Sequence, residues 1–243
     1  MSIAFISDLH LEPVDNDRLH SFINFLAEAP NKYKSLYIIG DLFEYWVGDD
    51  DPHPINQLIQ NKIKDAIGQG LSIYFIHGNR DFLLGSEFEK NTGLRIIDDM
   101  TVIKDSGISL MIAHGDSFCI DDVEYQELKK SLRSEEWKKD FLQKPIAERI
   151  AFANDLRAKS AESSSNKAEN IMDVNKSYVA EVIEKHKIDF LIHGHTHRPA
   201  IHKLDNGSSR VVLGSWEDEG WVAEYSKGNI ELKSFTCLLY TSD

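Results

Sequence analysis

Short apolar runs that end in glycine-rich or polar turns recur along this chain. Those at 3–7, 36–39, 72–76 and 109–113 have strand length, and helical spacing of apolar positions appears between them at about 17–29, 55–68 and 84–91. Strands alternating with helices in this way are the signature of βαβ units. After residue 197 the pattern changes to short alternating strands at about 200–204, 209–213, 221–225 and 230–235. Asn206-Gly207 and Lys227-Gly228 interrupt them, and both dipeptides signal hairpins. The pattern predicts an α/β layer from the early half and an antiparallel sheet from the late half, packed against it. Between Asp121 and about Asn170 strand signal is weak. There Leu142, Ile146, Ile150 and Ala153 recur at helical spacing, with Trp137, Phe141, Phe152 and Leu156 nearby and Pro145 placed near a helix start.

The turns that end the apolar runs carry the chemistry. Asp8-Leu9-His10 follows Ile3 to Ile6, Gly40-Asp41 follows Leu36 to Ile39, and Gly78-Asn79-Arg80-Asp81 follows Ile73 to Ile76. Later, His114-Gly115-Asp116 follows Leu110 to Ala113, and Gly194-His195-Thr196-His197 follows Phe190 to Ile192. Alone, each Asp or His reads as a turn residue or helix cap. In series they converge, because open α/β sheets place the residues that follow their strands in one crevice. Asp8, His10, Asp41, Asn79, His114, His195 and His197 then form a set of oxygen and imidazole donors without thiolate, suited to Mn, Fe or Zn. Seven donors exceed one tetrahedral ion; two ions about 3.5–4 Å apart with a bridging carboxylate use them naturally and clamp an in-line displacement at phosphorus. His20, His53, His186 and His202 read as structural, while His77 and His193, beside the motifs, are candidates to orient ligands through hydrogen bonds.

Composition narrows the partners. A 243-residue chain with 42% hydrophobic residues can bury a full core. Net charge of −13 opposes binding to a nucleic-acid backbone, so no nucleic-acid partner is expected. Two ions carrying +4 against Asp8 and Asp41 still leave the site locally positive for a phosphate substrate. The start of the chain has neither a basic n-region nor a secretory h-region, and Cys119 and Cys237 are too few for a disulfide framework, so a cytoplasmic protein is expected. The segment 237–243 resembles translated adapter DNA and is set aside as a non-native tail.

The order Asp-x-His, Gly-Asp, Gly-Asn-x-Asp, His-Gly-Asp and Gly-His-Thr-His resembles the calcineurin-like metallophosphoesterase superfamily. Gly40 to Asp50, Gly78 to Leu83, His114 to Asp116 with Asp121-Asp122 and Tyr125-Gln126, and Ile171 to Asn175 resemble, within it, the UDP-2,3-diacylglucosamine pyrophosphatases of lipid A biosynthesis. The likeness runs from Ser2 to about Phe235. It implies an α/β fold of metallophosphoesterase type, a β-sandwich flanked by helices (αββα). The core would be 1–120 and 171–236, with 121–170 a helical cap over the metal site. On the residues alone, the apolar face of that insertion merely docks on the core; the resemblance makes it a holder of acyl chains, with Trp137, Phe141, Ile146 and Ile150 lining the cavity.

The resemblance further implies two Mn2+ ions per chain, one on Asp8, His10, Asp41 and His197, the other on Asp41, Asn79, His114 and His195. Asp41, Asn79, Arg80 and His114 would be catalytic. Asn79, Arg80, Asp122, Ser160, Ser164, Lys167 and His195 would contact substrate. Ser160, Ser164 and Lys167 share one helical face, although Ser163 to Asn166 also reads as a solvated loop. Arg80 stands where many superfamily members carry His; it cannot donate a proton but can grip phosphate oxygens, which fits a leaving group that is already a phosphate. The expected reaction is attack of an activated water on the α-phosphorus of UDP-2,3-diacylglucosamine, giving UMP and 2,3-diacylglucosamine 1-phosphate, by an enzyme peripheral on the cytoplasmic face of the inner membrane, with no obligate protein partner. A soluble nucleotide pyrophosphatase and a non-catalytic scaffold are the alternatives.

Overall fold

The computed structural model describes residues 2–160 in full, the helical backbone of 161–166, and residues 173–237. The elements run β1 (Ser2–Ile6), α1 (Asp17–Lys32), β2 (Ser35–Ile39), α2 (Pro54–Gly68), β3 (Ser72–Ile76), α3 (Ser86–Thr92), β4 (Arg95–Ile96), β5 (Thr101–Asp105) and β6 (Ile108–Ala113). Three helices follow, α4 (Val123–Leu132), α5 (Glu135–Leu142) and α6 (Ile146–Asn166). After them come α7 (Lys176–His186), β7 (Phe190–His193), β8 (Ala200–Lys203), β9 (Ser209–Val212), β10 (Glu219–Ser226) and β11 (Asn229–Thr236).

Two mixed sheets face each other. One has the order β11-β10-β1-β2-β3-β4 and the other β5-β6-β7-β9-β8. The strands β1, β2, β6 and β7 are buried on both faces over most of their length, which explains their near-continuous apolar runs. Ile3, Phe5, Tyr37, Ile39 and Ile76 point inward against Leu110, Ile112, Ile192 and Val211 of the opposite sheet. The alternate residues Ala4, Ile6, Leu36, Ile38, Ile73 and Phe75 point outward onto Leu19, Phe22 and Leu26 of α1, Ile59 and Ile63 of α2, and Phe88 of α3. On the far side, Met111, Ala113 and Leu191 pack on Val179, Val182 and Ile183 of α7. The result is the α–β–β–α stack. Each fully buried Ile or Phe contributes roughly 1.5–3 kcal/mol relative to exposure.

The late strands do not form a sheet of their own. The hairpin β10–β11 adds antiparallel to β1, and the hairpin β8–β9 extends the second sheet beside β7. Turn signals specify a hairpin and leave its destination to whichever sheet edge is open. The strand at 109–113 likewise starts the second sheet, because Ser106 and Gly107, both at positive φ, turn β5 directly into antiparallel β6. Lys227 and Gly228 make the same kind of turn, with φ of 51° and 82°. Cys237, grouped above with the tail, is buried beside α1, where its carbonyl accepts a 2.7 Å hydrogen bond from Ser21 Oγ; residues 238–243 lie outside the described residues.

The insertion is helical and is tied down by polar contacts. Arg149 of α6 is 2% exposed, and its guanidinium donates to Val47 O at 2.6 Å and, in a fork, to Asp50 Oδ1 and Oδ2 at 2.7 and 2.5 Å. That fork holds the carboxyl of Asp50 below its ordinary pKa. A lowered folded-state pKa means that the stabilisation is full above the unfolded value and is lost as pH falls through the folded one. The melting-temperature gap between wild type and Asp50→Asn should therefore be largest at neutral pH and close from about pH 5 downward. A gap independent of pH would show that the fork contributes nothing to anchoring the insertion.

Candidate metal centre

Three of the strands that feed the centre, β1, β2 and β7, end in backbone that side chains ordinarily avoid. Asp8, His10, Asp41, His195 and His197 have φ of 54°, 49°, 52°, 67° and 53°. Left-handed backbone costs a non-glycine residue roughly 1–2 kcal/mol, so it persists only where neighbours over-determine it. Here the loops go on pairing after their strands stop: Asp8 N donates to Gly40 O, His10 N to Asp41 O, Leu11 N to Leu42 O, and Gly194 N to His114 O. Asp81 fixes its turn by accepting from the backbone N–H of Gly78 at 2.9 Å and Leu42 at 2.7 Å. Gly78 and Gly194 have no room for a side chain, since an added Cβ would lie 2.0 Å from Asp41 Oδ1 and 2.2 Å from Asp8 Oδ2 respectively.

The structure brings all seven candidate ligands together in two overlapping groups. In the first, His10 Nε2 and His197 Nε2 are 3.3 Å apart, and Asp8 Oδ1 is 3.3 Å from His197 Nε2. In the second, Asn79 Oδ1 lies 2.9 Å from His114 Nε2 and 3.0 Å from His195 Nδ1. Asp8, Asp41 and His114 place ligand atoms within 4.8 Å of one another, so the carboxylates lie where the groups meet. Second partners aim the rings: His114 Nδ1 is 3.0 Å from Ile39 O and His10 Nδ1 is 3.1 Å from Glu44 Oε2, leaving each Nε2 to face the centre. Asp8 Oδ1 is buried without a hydrogen-bond partner, a costly state that a cation would relieve. The donors fit a pair of divalent ions.

The charges point the same way. Burial alone would raise the pKa of Asp8, yet His197, His114 and His10 hold it far below the carboxylate range. Burial would lower His114, but Asp41, Asp116 and Asp8 raise it to about 9, whereas burial and His114 bring His195 down to about 4. Protons on His114 and His197, whose pKa values are both raised, stand in for positive charge that the buried carboxylates demand.

The calcineurin-like phosphoesterase family profile matches residues 1–199, which hold all seven side chains. The chain belongs to that family. It is similar to the UDP-2,3-diacylglucosamine hydrolases of Salmonella paratyphi B (strain ATCC BAA-1250 / SPB7) and Escherichia coli O7:K1, at 40% and 41% identity, in each case over 97% of this chain and 99% of the relative. In fold it resembles a dimetal phosphatase from Danio rerio, with a TM-score of 0.55 at 10% identity over 98% of this chain and 96% of that one. An archaeal phosphodiesterase gives 0.52 at 14% identity over 97% and 99%. The phosphoesterase family implies a dinuclear metal site, and the two groups are its candidate ligands.

Beside this phosphoesterase centre opens a cavity of about 740 Å³. Asn79, Arg80 and Tyr125 line it on the metal side, and Trp137, Phe141, Phe152 and Leu156 line it from α5 and α6. The three aromatics form one cluster, with ring centroids 4.5–5.7 Å apart. Ile146 and Ile150, expected in the lining, are not among its residues; Phe152, Leu156, Leu128 and Leu132 take that place. Helical spacing gave the period of the apolar stripe but not which part of it faces the gap between helix and core. Ser160 lines the cavity, whereas Asp122 does not: its carboxylate caps α4 by accepting from Tyr125 N at 3.2 Å. Lys167 and the side chain of Ser164 lie outside the described residues. His77 and His193 bond the carbonyls of Leu84 and Gly194 and orient no ligand ring directly.

Two buried carboxylates were quoted in the motifs without a role. Glu44 pairs with Arg80 and with Arg157 of α6, and Asp116 accepts from Tyr125 at 2.7 Å and pairs with Lys129 at 2.9 Å and Arg133 at 3.2 Å. Apart from His10 and Arg80, their partners come from the insertion, so spacing along the chain carried no signal of them. Since a Cβ at Gly194 collides with Asp8 Oδ2 and Ser7 Oγ, Gly194→Ala should weaken Mn2+ binding by ~10-fold or more and lower the melting temperature as well. Wild-type Mn2+ affinity in that variant, measured by titration, would count against Asp8 as a ligand.

Proposed function

We propose that the chain hydrolyses the diphosphate of UDP-2,3-diacylglucosamine to UMP and 2,3-diacylglucosamine 1-phosphate, a step of lipid A biosynthesis. The carrying observation is the continuity of the ligand set with an apolar cavity through Asn79, which belongs to both, and Arg80, which lines the cavity and donates its backbone N–H to Asp41. One ion is assigned to Asp8, His10, Asp41 and His197 and the other to Asp41, Asn79, His114 and His195, with Asp41 bridging and Mn2+ as the metal. When bound, such ions draw charge from phosphoryl oxygens and supply water as a nucleophile near neutral pH.

The side chains around the ions do the positioning. Arg80 N donates to Asp41 Oδ1 at 2.9 Å while its guanidinium is held by Glu44, so a cationic fork stands at the junction of centre and cavity. It grips the diphosphate and balances charge as the bond breaks. The water oxygen bonds to the α-phosphorus, and the bridging oxygen leaves with the sugar phosphate. That leaving group is a weak base and needs no acid, consistent with Arg80 in place of a proton donor. Asn79 and His195 face the same phosphate, and Ser160, Ser164, Lys167 and Asp122 are assigned as substrate contacts from the resemblance.

Acyl chains fill the aromatic-lined cavity, each buried methylene contributing about 0.8 kcal/mol. A soluble dinucleotide would have no use for that volume. Leu128 and Phe152, which line it, are 43% and 38% exposed, and Val123 on α4 is 62% exposed. Such an apolar rim suits attachment to the surface of the inner membrane; among the described residues no helix is long and apolar enough to cross one. Hydrolysis in 18O-labelled water with Mn2+ should place the label in UMP and none in the sugar phosphate. Label in the sugar phosphate would reverse the assignment of the attacked phosphorus.

A further inference from the structure

A second cavity, of about 360 Å³, opens on the same loop that carries two of the candidate ligands. From Gly194 to Arg198 the chain presents His195 and His197 to the centre, while Thr196 and Arg198 line this cavity. Lys176, His202 and Arg210 complete its donors, and Asp173, paired with Arg198 at 3.2 Å, is its single carboxylate.

Two groups there are unsatisfied. Arg210 is 7% exposed, and its guanidinium has one hydrogen-bond partner among the described residues, His193 Nε2 at 3.3 Å from Nη1, and no carboxylate within ion-pair distance. The buried Oγ1 of Thr196 has no partner. Asp173 faces Arg210 across the cavity without pairing with it, and a buried guanidinium that donates once and has no ion-pair partner is expensive, so acceptors belong in front of it.

We infer that this cavity receives the nucleoside half of the substrate. The inference rests on the function proposed above, in which the acyl sugar occupies the larger cavity and the diphosphate lies across the metal centre. The other end of the diphosphate must then leave the centre elsewhere, and the loop of His195 and His197 has a donor-lined cavity on its other face. Uracil offers two carbonyl acceptors to the Arg210 fork and the Thr196 hydroxyl, and ribose hydroxyls donate to Asp173. The adjoining diphosphate supplies negative charge beside Arg198, and Lys176 offers a further donor to the nucleoside. The volume lies within the range of small-molecule sites.

Titration of Mn2+-loaded protein with UMP, and in parallel with inorganic phosphate, tests the assignment in wild type, Arg210→Met and Lys176→Glu. Lys176 is exposed at the start of α7, so Lys176→Glu keeps the fold if Arg210→Met does not. UMP affinity should fall ~10-fold or more in each variant, with phosphate affinity changing less than threefold. Unchanged UMP affinity in Lys176→Glu and in folded Arg210→Met, in an enzyme that cleaves the diacylated UDP-sugar, would overturn this cavity while leaving the proposed reaction standing. An equal loss for phosphate would overturn it too, by making the cavity a general anion site. A wild type that binds UMP through these residues and fails to cleave the UDP-sugar would instead remove the proposed reaction.

Discussion

Five side chains aimed at one point from left-handed backbone are the constraint on which the rest of this structure depends. Asp8, His10, Asp41, His195 and His197 are strained by roughly 1–2 kcal/mol each, and no local sequence preference holds them there. Both sheets do. Three parallel strands of one sheet and two of the other end at the same level, and hydrogen bonds between their loops lock each bend. Mutual repulsion of the buried carboxylates adds to the cost, and divalent cations offset both. The two-sheet architecture is therefore a means of bringing ligands from both sheets to one place.

The same carboxylates connect the centre to the helices above it. Glu44 faces His10 on one side and Arg80 and Arg157 on the other, and Asp116 gathers Tyr125, Lys129 and Arg133 of α4. Polar contacts at these two points, with Arg149 on Asp50 and Val47, dock the insertion. Part of its aromatic face reaches the core as well, where Phe141 and Trp137 pack with Phe82 and Leu83, and the rest encloses the cavity.

Much of this was legible in the sequence because it is local. Asp8-Leu9-His10, Gly78-Asn79-Arg80-Asp81 and Gly194-His195-Thr196-His197 each follow an apolar run, and the rule that strand ends converge sufficed to assemble the seven residues. What was not legible is what depends on distant pairing. The destination of the hairpins at Lys227-Gly228 and Asn206-Gly207 depends on which sheet edge is open, and the strand β5 was hidden because it carries only two apolar residues, the adjacent Val102 and Ile103. Glu44 and Asp116 acquire partners about 30 to 110 residues away or within a following helix, and Ile146 and Ile150 were placed on the wrong part of the helix surface for want of the helix rotation.

The central claim is that the two groups hold two ions bridged by one carboxylate. Electron paramagnetic resonance of the purified chain loaded with Mn2+, with the bound metal counted, addresses it directly. Two ions per chain and the broadened, temperature-dependent signal of an exchange-coupled pair are expected. A single bound ion giving an isolated six-line Mn2+ spectrum would contradict the account.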